Sequence, residues 1–281
     1  MNTFAAARRG KGKARQAGDS KAVEVGGRAG FVARGVIYFL VGFLALRIAF
    51  NGGDSKKQAD RGGALSEIAQ KPFGSALLWV LGIALVGMAL WRLSEAIFGA
   101  PGPDGDKATK RLASAGRAVF YGFVAYSVLS FAAGGKSSGS GSSDSQSQDV
   151  TAKVLDLPGG RWIVGLAGAA IVGVGLWIAA RAAMRKFHKR LRMEAMSPAQ
   201  RRGVDITGVF GGLSRGIVFA VAGGFAVSAA VKARSGEAKG MDDTLRSFAS
   251  APAGPWLLAL IAIGLAAFGL FSFAHARWRK I

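Results

Sequence analysis

Six stretches of this chain run for about twenty residues each with almost no charged side chain inside them: 31–50, 76–98, 117–133, 162–183, 210–231 and 256–274. A helix rises 1.5 Å per residue, so roughly 20 apolar residues cross the hydrocarbon core of a bilayer. The formal net charge is +21, yet the charges lie between the runs. A soluble domain spreads its apolar residues over amphipathic faces. A bilayer demands segregation, because a charge at its centre costs ~2.5–3.5 kcal/mol even on insertion scales. The fold expected is an all-α integral membrane protein with six transmembrane helices.

The first, third and fifth runs become marginal if counting starts after Arg34, Arg117 and Arg215. Arginine can snorkel, so these three are expected at the inner hydrocarbon boundary. Trp79, Trp162 and Trp256 near the starts of the even runs, and Trp91, Trp177 and Trp278 near their ends, suit interfacial belts. The N-terminal arm, the connections after the second and fourth runs, the C-terminal tail and the adjoining helix ends hold 25 of 37 Lys and Arg and 7 of 16 Asp and Glu. That side is net +18 and the other net +3, so the positive-inside rule places both termini in the cytoplasm.

The runs repeat. Ala33-Arg34-Gly35-Val36-Ile37-Tyr38 aligns with Gly116-Arg117-Ala118-Val119-Phe120-Tyr121 and with Ser214-Arg215-Gly216-Ile217-Val218-Phe219. The loops align without a gap at Pro72-Phe73-Gly74, Pro158-Gly159-Gly160 and Pro252-Ala253-Gly254, and the even helices keep register, so that Glu95, Arg181 and His275 correspond. The expected architecture is three tandem helical hairpins that pack alike around a pseudo-threefold axis. Each outer loop carries a short amphipathic segment before its proline (Leu65 with Ile68, Thr151 with Val154, Leu245 with Phe248), expected as a one- to two-turn helix on the outer membrane surface. Glycine after the proline lets the chain bend into the even helix. The parts are a basic arm (1–27) expected to be disordered, repeats at 28–99, 112–185 and 208–279, a Gly/Ser-rich flexible insert at 134–148 and a basic cytoplasmic linker at 186–207.

The Arg34–Tyr38 opening, the Gly63-Ala64-Leu65 entry, the Pro72-Phe73-Gly74 hinge and Gly87-Met88-Ala89-Leu90-Trp91-Arg92 resemble the bacterial domain of unknown function 1206 family. The resemblance implies three two-helix membrane repeats and a bacterial plasma membrane. It lends no activity and no catalytic residue. The first copy matches best; the second has Ala118 after its arginine and the third Phe271 in place of tryptophan.

The absence of cysteine removes disulfides, thiolate metal sites and a cysteine nucleophile. No Walker lysine or His-x-x-x-His spacing occurs, and no cofactor, metal or catalytic residue is expected. His188 belongs to a basic stretch, and His275 ends a helix, where a cation suits the dipole. Gly208, Gly212, Gly216 and Gly224, with Gly165 and Gly173, form small-residue stripes for close helix packing, either within the chain or between copies.

Charged residues at the inner boundary are the functional lead. Arg34, Arg117 and Arg215 open the odd helices; Glu95, Arg181 and His275 close the even ones. Glu95 is positioned to pair with Arg34 or Arg92, whereas Arg181 meets Arg117 within its own repeat, so the cluster is under-neutralised. Topology anchoring is the simple account. A site for an anionic lipid headgroup or small anion is the sharper one, and a proton or cation path through Glu95 is a third. The N-terminal arm lacks interleaved aromatics, which favours anionic lipid over nucleic acid. The function expected is a non-enzymatic scaffold or envelope component associating with lipid, with itself or with other membrane proteins. The alternative is a small-solute or ion transporter or channel.

Overall fold

The computed structural model describes residues 21–50, 58–99, 107–134 and 143–280. Among them lie nine α-helices: α1 (Lys21–Phe50), α2 (Arg61–Ala69), α3 (Gly74–Phe98), α4 (Ala108–Ala132), α5 (Ser143–Leu155), α6 (Gly160–Ala183), α7 (Pro198–Lys232), α8 (Met241–Ala249) and α9 (Gly254–Trp278). Six are long and apolar enough to cross a membrane: α1 from Glu24, α3, α4, α6, α7 and α9. The short helices α2, α5 and α8 stand between the two spans of each repeat. The face where α1 begins and α9 ends is the terminal face; α2, α5 and α8 occupy the hairpin face.

The same turn leads into α3, α6 and α9. Phe73, Gly159 and Ala253, each after a proline, adopt left-handed backbone with φ of 62°, 74° and 57°. The glycines that follow are required by contact and not by bending. A Cβ on Gly74, Gly160 or Gly254 would sit 2.3, 1.9 or 1.8 Å from the carbonyl oxygen of Ile68, Val154 or Ala249. The bend is carried one residue earlier than expected, at the cost of about 1–2 kcal/mol for a non-glycine in that region.

The spans form an arc. α1 and α9 pack along their lengths at the centre, α3 lies on α1 and α7 on α9, and α4 and α6 lie outside these. Burial is greatest in α9 and α1 and least in α6. α4 and α6, the two spans of the middle repeat, make next to no direct contact among the described residues, unlike α1 with α3 or α7 with α9. The expectation that all three hairpins pack alike therefore fails in the middle one. The joints between repeats are closer. Arg28 donates to the carbonyls of Ala276 and Arg277 at the end of α9, at 2.6 and 2.9 Å. Arg111, at the equivalent position, donates to Ala96 and Ile97 at the end of α3, at 2.8 and 2.7 Å. Each guanidinium satisfies carbonyls that a helix leaves unpaired at its C-terminus.

At the third joint, α6 against α7, small residues do this work. A Cβ on Gly175 would lie 2.5 Å from the Ala220 amide nitrogen, and one on Gly216 2.7 Å from the Gly175 carbonyl. Gly208 lies against Phe187 and Phe271, and Gly212 against Ala182. Gly165 has only Ala230 nearby, at 3.5 Å, while Gly173 and Gly224 meet nothing within 4 Å. The stripe on α6 is thus Gly168 and Gly175. A seven-residue step returns to nearly the same helix face, whereas the eight-residue step from Gly165 to Gly173 turns about 80° away.

Three segments outside the apolar runs carry regular structure. The last part of the basic arm, from Lys21, is already α1, with Gly26 against Gly87 and Gly27 against Trp91; the arm before it lies outside the described residues. The linker forms 3-10 turns at Lys186–Arg190 and Met193–Ala195, buries Leu191 and Met196, and bridges to Arg279. Ser197 then caps α7 through a capping box with Gln200. Of the Gly/Ser-rich insert, residues 143–148 are the opening turns of α5; 135–142 lie outside the described residues. The apolar sides of α2 and α8 turn into the bundle, with Leu65, Ile68 and Leu245 joining the main core.

Candidate functional site

Seven close guanidinium–ring contacts run across the terminal face. Arg92 lies over Trp91 at 4.1 Å, and Arg279 over the same ring at 4.7 Å and over Phe31 at 5.0 Å. Arg34 lies over Phe31 at 4.8 Å and Phe268 at 5.2 Å; Arg215 follows over Phe268 at 4.9 Å and Phe219 at 5.2 Å. Four cations from α3, the C-terminal tail, α1 and α7 thus alternate with rings from α3, α1, α9 and α7. Each such contact stabilises by ~0.5–2 kcal/mol, more when desolvated. The rings replace the carboxylates that the sequence does not supply.

Glu95 closes one end of this ladder. It is only 5% exposed and holds Arg92 at 2.7 Å, Arg279 at 3.8 Å and the Ser114 hydroxyl at 3.2 Å. Of the two partners expected for Glu95, Arg92 is realised and Arg34 is not. Arg34 instead donates to the Ser272 hydroxyl at 3.1 Å and to the Tyr121 hydroxyl at 3.5 Å. Burial, with Arg92 adding to it and Glu95 opposing, holds Arg279 well below its ordinary pKa. Buried Nε atoms of Arg92, Arg215 and Arg279, and Nδ1 of His275, have no hydrogen-bond partner among the described residues.

The structure brings Arg34 and Arg215 together across Phe268 and sets Arg117 and Arg181 apart on the α4/α6 flank. The charged and phenolic groups whose fields reach Arg117 are Arg92, Glu95, Tyr121 and Arg181. Burial, then Arg181, Arg117 and Arg92, pushes Arg190 in the linker down to about 10. His275 is enclosed between Phe31, stacked at 5.3 Å, and the edge of Phe271 at 4.6 Å. At 5% exposure it is shut off from a headgroup, contrary to the expectation from sequence. Trp91 is likewise interior, between two guanidinia, and not in an interfacial belt. His188 pairs with Asp205 on α7, which also lies 3.8 Å from Arg185 in a looser ion pair.

The hairpin face holds a second cluster, which the sequence reading missed. Asp60 accepts the Gly63 and Ser143 amides at 2.9 and 2.7 Å, so it caps α2 and grips α5. Ser143 Oγ and Asp144 accept the Met241 and Asp243 amides of α8 at 2.9 and 3.0 Å. Asp242 accepts the Ala59 amide ahead of α2 at 2.7 Å and Arg246 at 2.9 Å. The three short helices therefore hold one another in a closed circle. Asp144, Asp242 and Asp243 bring ligand atoms within 4.8 Å of one another, the one such acidic trio among the described residues. One oxygen each of Asp144 and Asp242 nevertheless serves a backbone amide, and the second oxygen of Asp242 takes Arg246. Burial pushes the Asp144 carboxyl up to about 6; the Asp243 amide opposes this, and the charges of Asp243, Asp242 and Asp60 add to it. The signal was an aspartate one or two places from each helix start, masked by the low complexity around Ser143.

The pattern of the family described as Domain of Unknown Function (DUF1206) matches three successive segments, 29–99, 112–185 and 210–279. The chain belongs to this family. The DUF1206 chain is similar to the uncharacterized protein YxxB of Bacillus subtilis (strain 168), at 29% identity over 90% of this chain and 92% of that protein. No solved structure matches it. A bacterial relative and six apolar spans support a place in a bacterial plasma membrane.

Proposed function

We propose that this DUF1206 protein is a non-enzymatic component of the bacterial plasma membrane that gathers acidic lipid at its terminal face and scaffolds other envelope components there. The observation that carries this reading is the imbalance at that face. Among the described residues, Arg34, Arg92, Arg117, Arg181, Arg190, Arg215 and Arg279 share Glu95 as the one carboxylate paired within the ladder. Near an anionic leaflet each basic residue gains about 1 kcal/mol. The reading takes both termini as cytoplasmic and the chain as three tandem hairpins, with α2, α5 and α8 on the outer side. Absence of cysteine, and cations held by rings instead of aimed at a nucleophile, support a role without catalysis.

Two measurements test it. A single cysteine at Gly236 should react with an impermeant thiol reagent on intact cells and one at Ala195 should not; both positions are exposed. Purified protein should carry over phosphatidylglycerol or cardiolipin in preference to zwitterionic lipid, as read by native mass spectrometry. Equal carry-over of both classes removes the lipid reading. Solute flux through reconstituted vesicles would replace it with the transporter alternative.

A further inference from the structure

The three repeats present the same pair of positions at the terminal face, and two of the three pairs are satisfied internally. In the first, Arg34 reaches the Tyr121 hydroxyl of the second repeat. In the third, Arg215 reaches round the circle to the ring of Tyr38 in the first, at 5.6 Å. Tyr38, Tyr121 and Phe219 are equivalent, so the rule sends each arginine to the aromatic residue of the following repeat. By that rule Arg117 should meet Phe219, but the face of Phe219 is taken by Arg215. Among the described residues Arg117 has no hydrogen bond, ion pair or ring contact, and the contact made by Arg181 is with Trp177 on its own helix, at 5.8 Å. The even-helix partners diverge in the same way. Glu95 is ion-paired and His275 is enclosed by rings, whereas Arg181 adds a like charge opposite Arg117.

The unsatisfied pair lies where the arc is open, between α4 and α6. On α6, Gly173, Trp177 and Arg181 recur every four residues, on the side turned away from Gly168 and Gly175, which face α7. On α4, Phe120 lies one turn from Arg117. α4 runs away from the terminal face and α6 runs towards it, so on both walls the aromatic residue is one turn deeper than the arginine. Phe120 is 56% and Trp177 58% exposed. Deeper still on α6, a Cβ on Gly173 would meet nothing within 4 Å. The slot has cations at headgroup depth and smooth apolar walls below. That profile complements an amphiphile with one anionic end.

We infer that the slot between α4 and α6 holds one acidic phospholipid, its phosphate between Arg117 and Arg181 and its acyl chains along Phe120, Trp177 and Gly173. This rests on the reading that the terminal face gathers acidic lipid, and narrows it to one place. A guanidinium can make planar, paired N–H contacts to a phosphate, which a lysine ammonium cannot. The lipid supplies the negative charge that Glu95 brings to the first repeat, so the middle repeat is completed by the membrane.

Native mass spectrometry of protein exchanged into phosphatidylglycerol/phosphatidylcholine mixed micelles tests this. Wild type should retain one phosphatidylglycerol. Arg117→Gln and Arg181→Gln should each lower the retained fraction roughly tenfold or more, the scale of one lost charge-assisted hydrogen bond. Gly173→Trp should do the same by filling the slot while leaving every charge in place, which covers the case in which an arginine variant does not fold. Arg202→Gln and Lys189→Gln, at exposed terminal-face positions, should retain the lipid. Retention unchanged in all three slot variants overturns the slot. If Arg202→Gln or Lys189→Gln then loses the lipid, the general reading survives without it. No retained phosphatidylglycerol in wild type removes both. Displacement of the lipid by millimolar inorganic phosphate, with the acyl chains contributing nothing, also overturns the assignment, as does a dimer that Gly173→Trp abolishes.

Discussion

The two faces of the bundle meet the same problem with opposite chemistry. On the terminal face cations converge with too few acids, and aromatic rings are slipped between them: Trp91, Phe31 and Phe268 each serve two guanidinia. On the hairpin face carboxylates converge with few cations, and backbone amides at the starts of α2, α5 and α8 stand between them. A ring face is a weak, adaptable partner that tolerates several ångströms of displacement, so the cationic face spans four helices and the tail. An amide is short and directional, so the acidic face is a tight circle that fixes register. Like charges can be gathered in a membrane protein when the groups between them carry the opposite partial charge.

The largest effect should come from removing the one acid that the rings cannot replace. Glu95→Gln leaves Arg92 and Arg279 buried without a countercharge, and should cost about 3–5 kcal/mol, seen as a large drop in thermal midpoint in mild detergent. A loss below about 1 kcal/mol would mean that the rings carry the face alone. Phe268→Leu comes next. It keeps most of the volume but removes the π face shared by Arg34 and Arg215, and should destabilise by about 1–2 kcal/mol. Phe268→Tyr should be milder than Phe268→Leu in the same assay, and the reverse order would assign the ring to packing alone.

The smallest effect separates the faces by pH. Asp144 has its folded pKa raised from 3.8 to about 6, so the folded state binds this proton more tightly than the unfolded one. Its stabilising contribution is fully present below the unfolded value and is lost as pH rises through about 6. Asp144→Asn can still accept the Asp243 amide. It should therefore raise the midpoint at pH 7.5, by on the order of 1 kcal/mol after solvent screening, and flatten the profile between pH 4 and 7. An unchanged profile would place the titrating group elsewhere.

Much of this was written in the sequence. Spans follow from charge-free runs, because a bilayer admits no other arrangement of backbone and charge. The threefold repeat follows from register, and the glycine after each proline was marked, although its reason was not. Arg34, Arg117 and Arg215 were legible as a special depth for the same reason: guanidinium is conspicuous in apolar sequence. The partners were not legible. Glu95 chooses Arg92 over Arg34, and Arg279, two residues from the end of the chain, enters the ladder only because the linker bridges it at Leu191.

Hydrophobic patterning alone thus determines six spans, since burial in lipid is a property that each segment satisfies by itself, and the register of arginine, proline and glycine marks three repeated units. Only the tertiary structure decides that α4 and α6 stand apart while their equivalents pack, that His275 and Trp91 are interior, and that Arg117, one of the three equivalent arginines, makes no hydrogen bond, ion pair or ring contact among the described residues. These depend on which rings and small residues meet across helices far apart in the chain. Gly212 stands where the first repeat has Phe31, and Phe219 where the others have tyrosine. Such differences carry no charge. They act only when the copies pack on one another and the groups that one copy lacks must come from its neighbours.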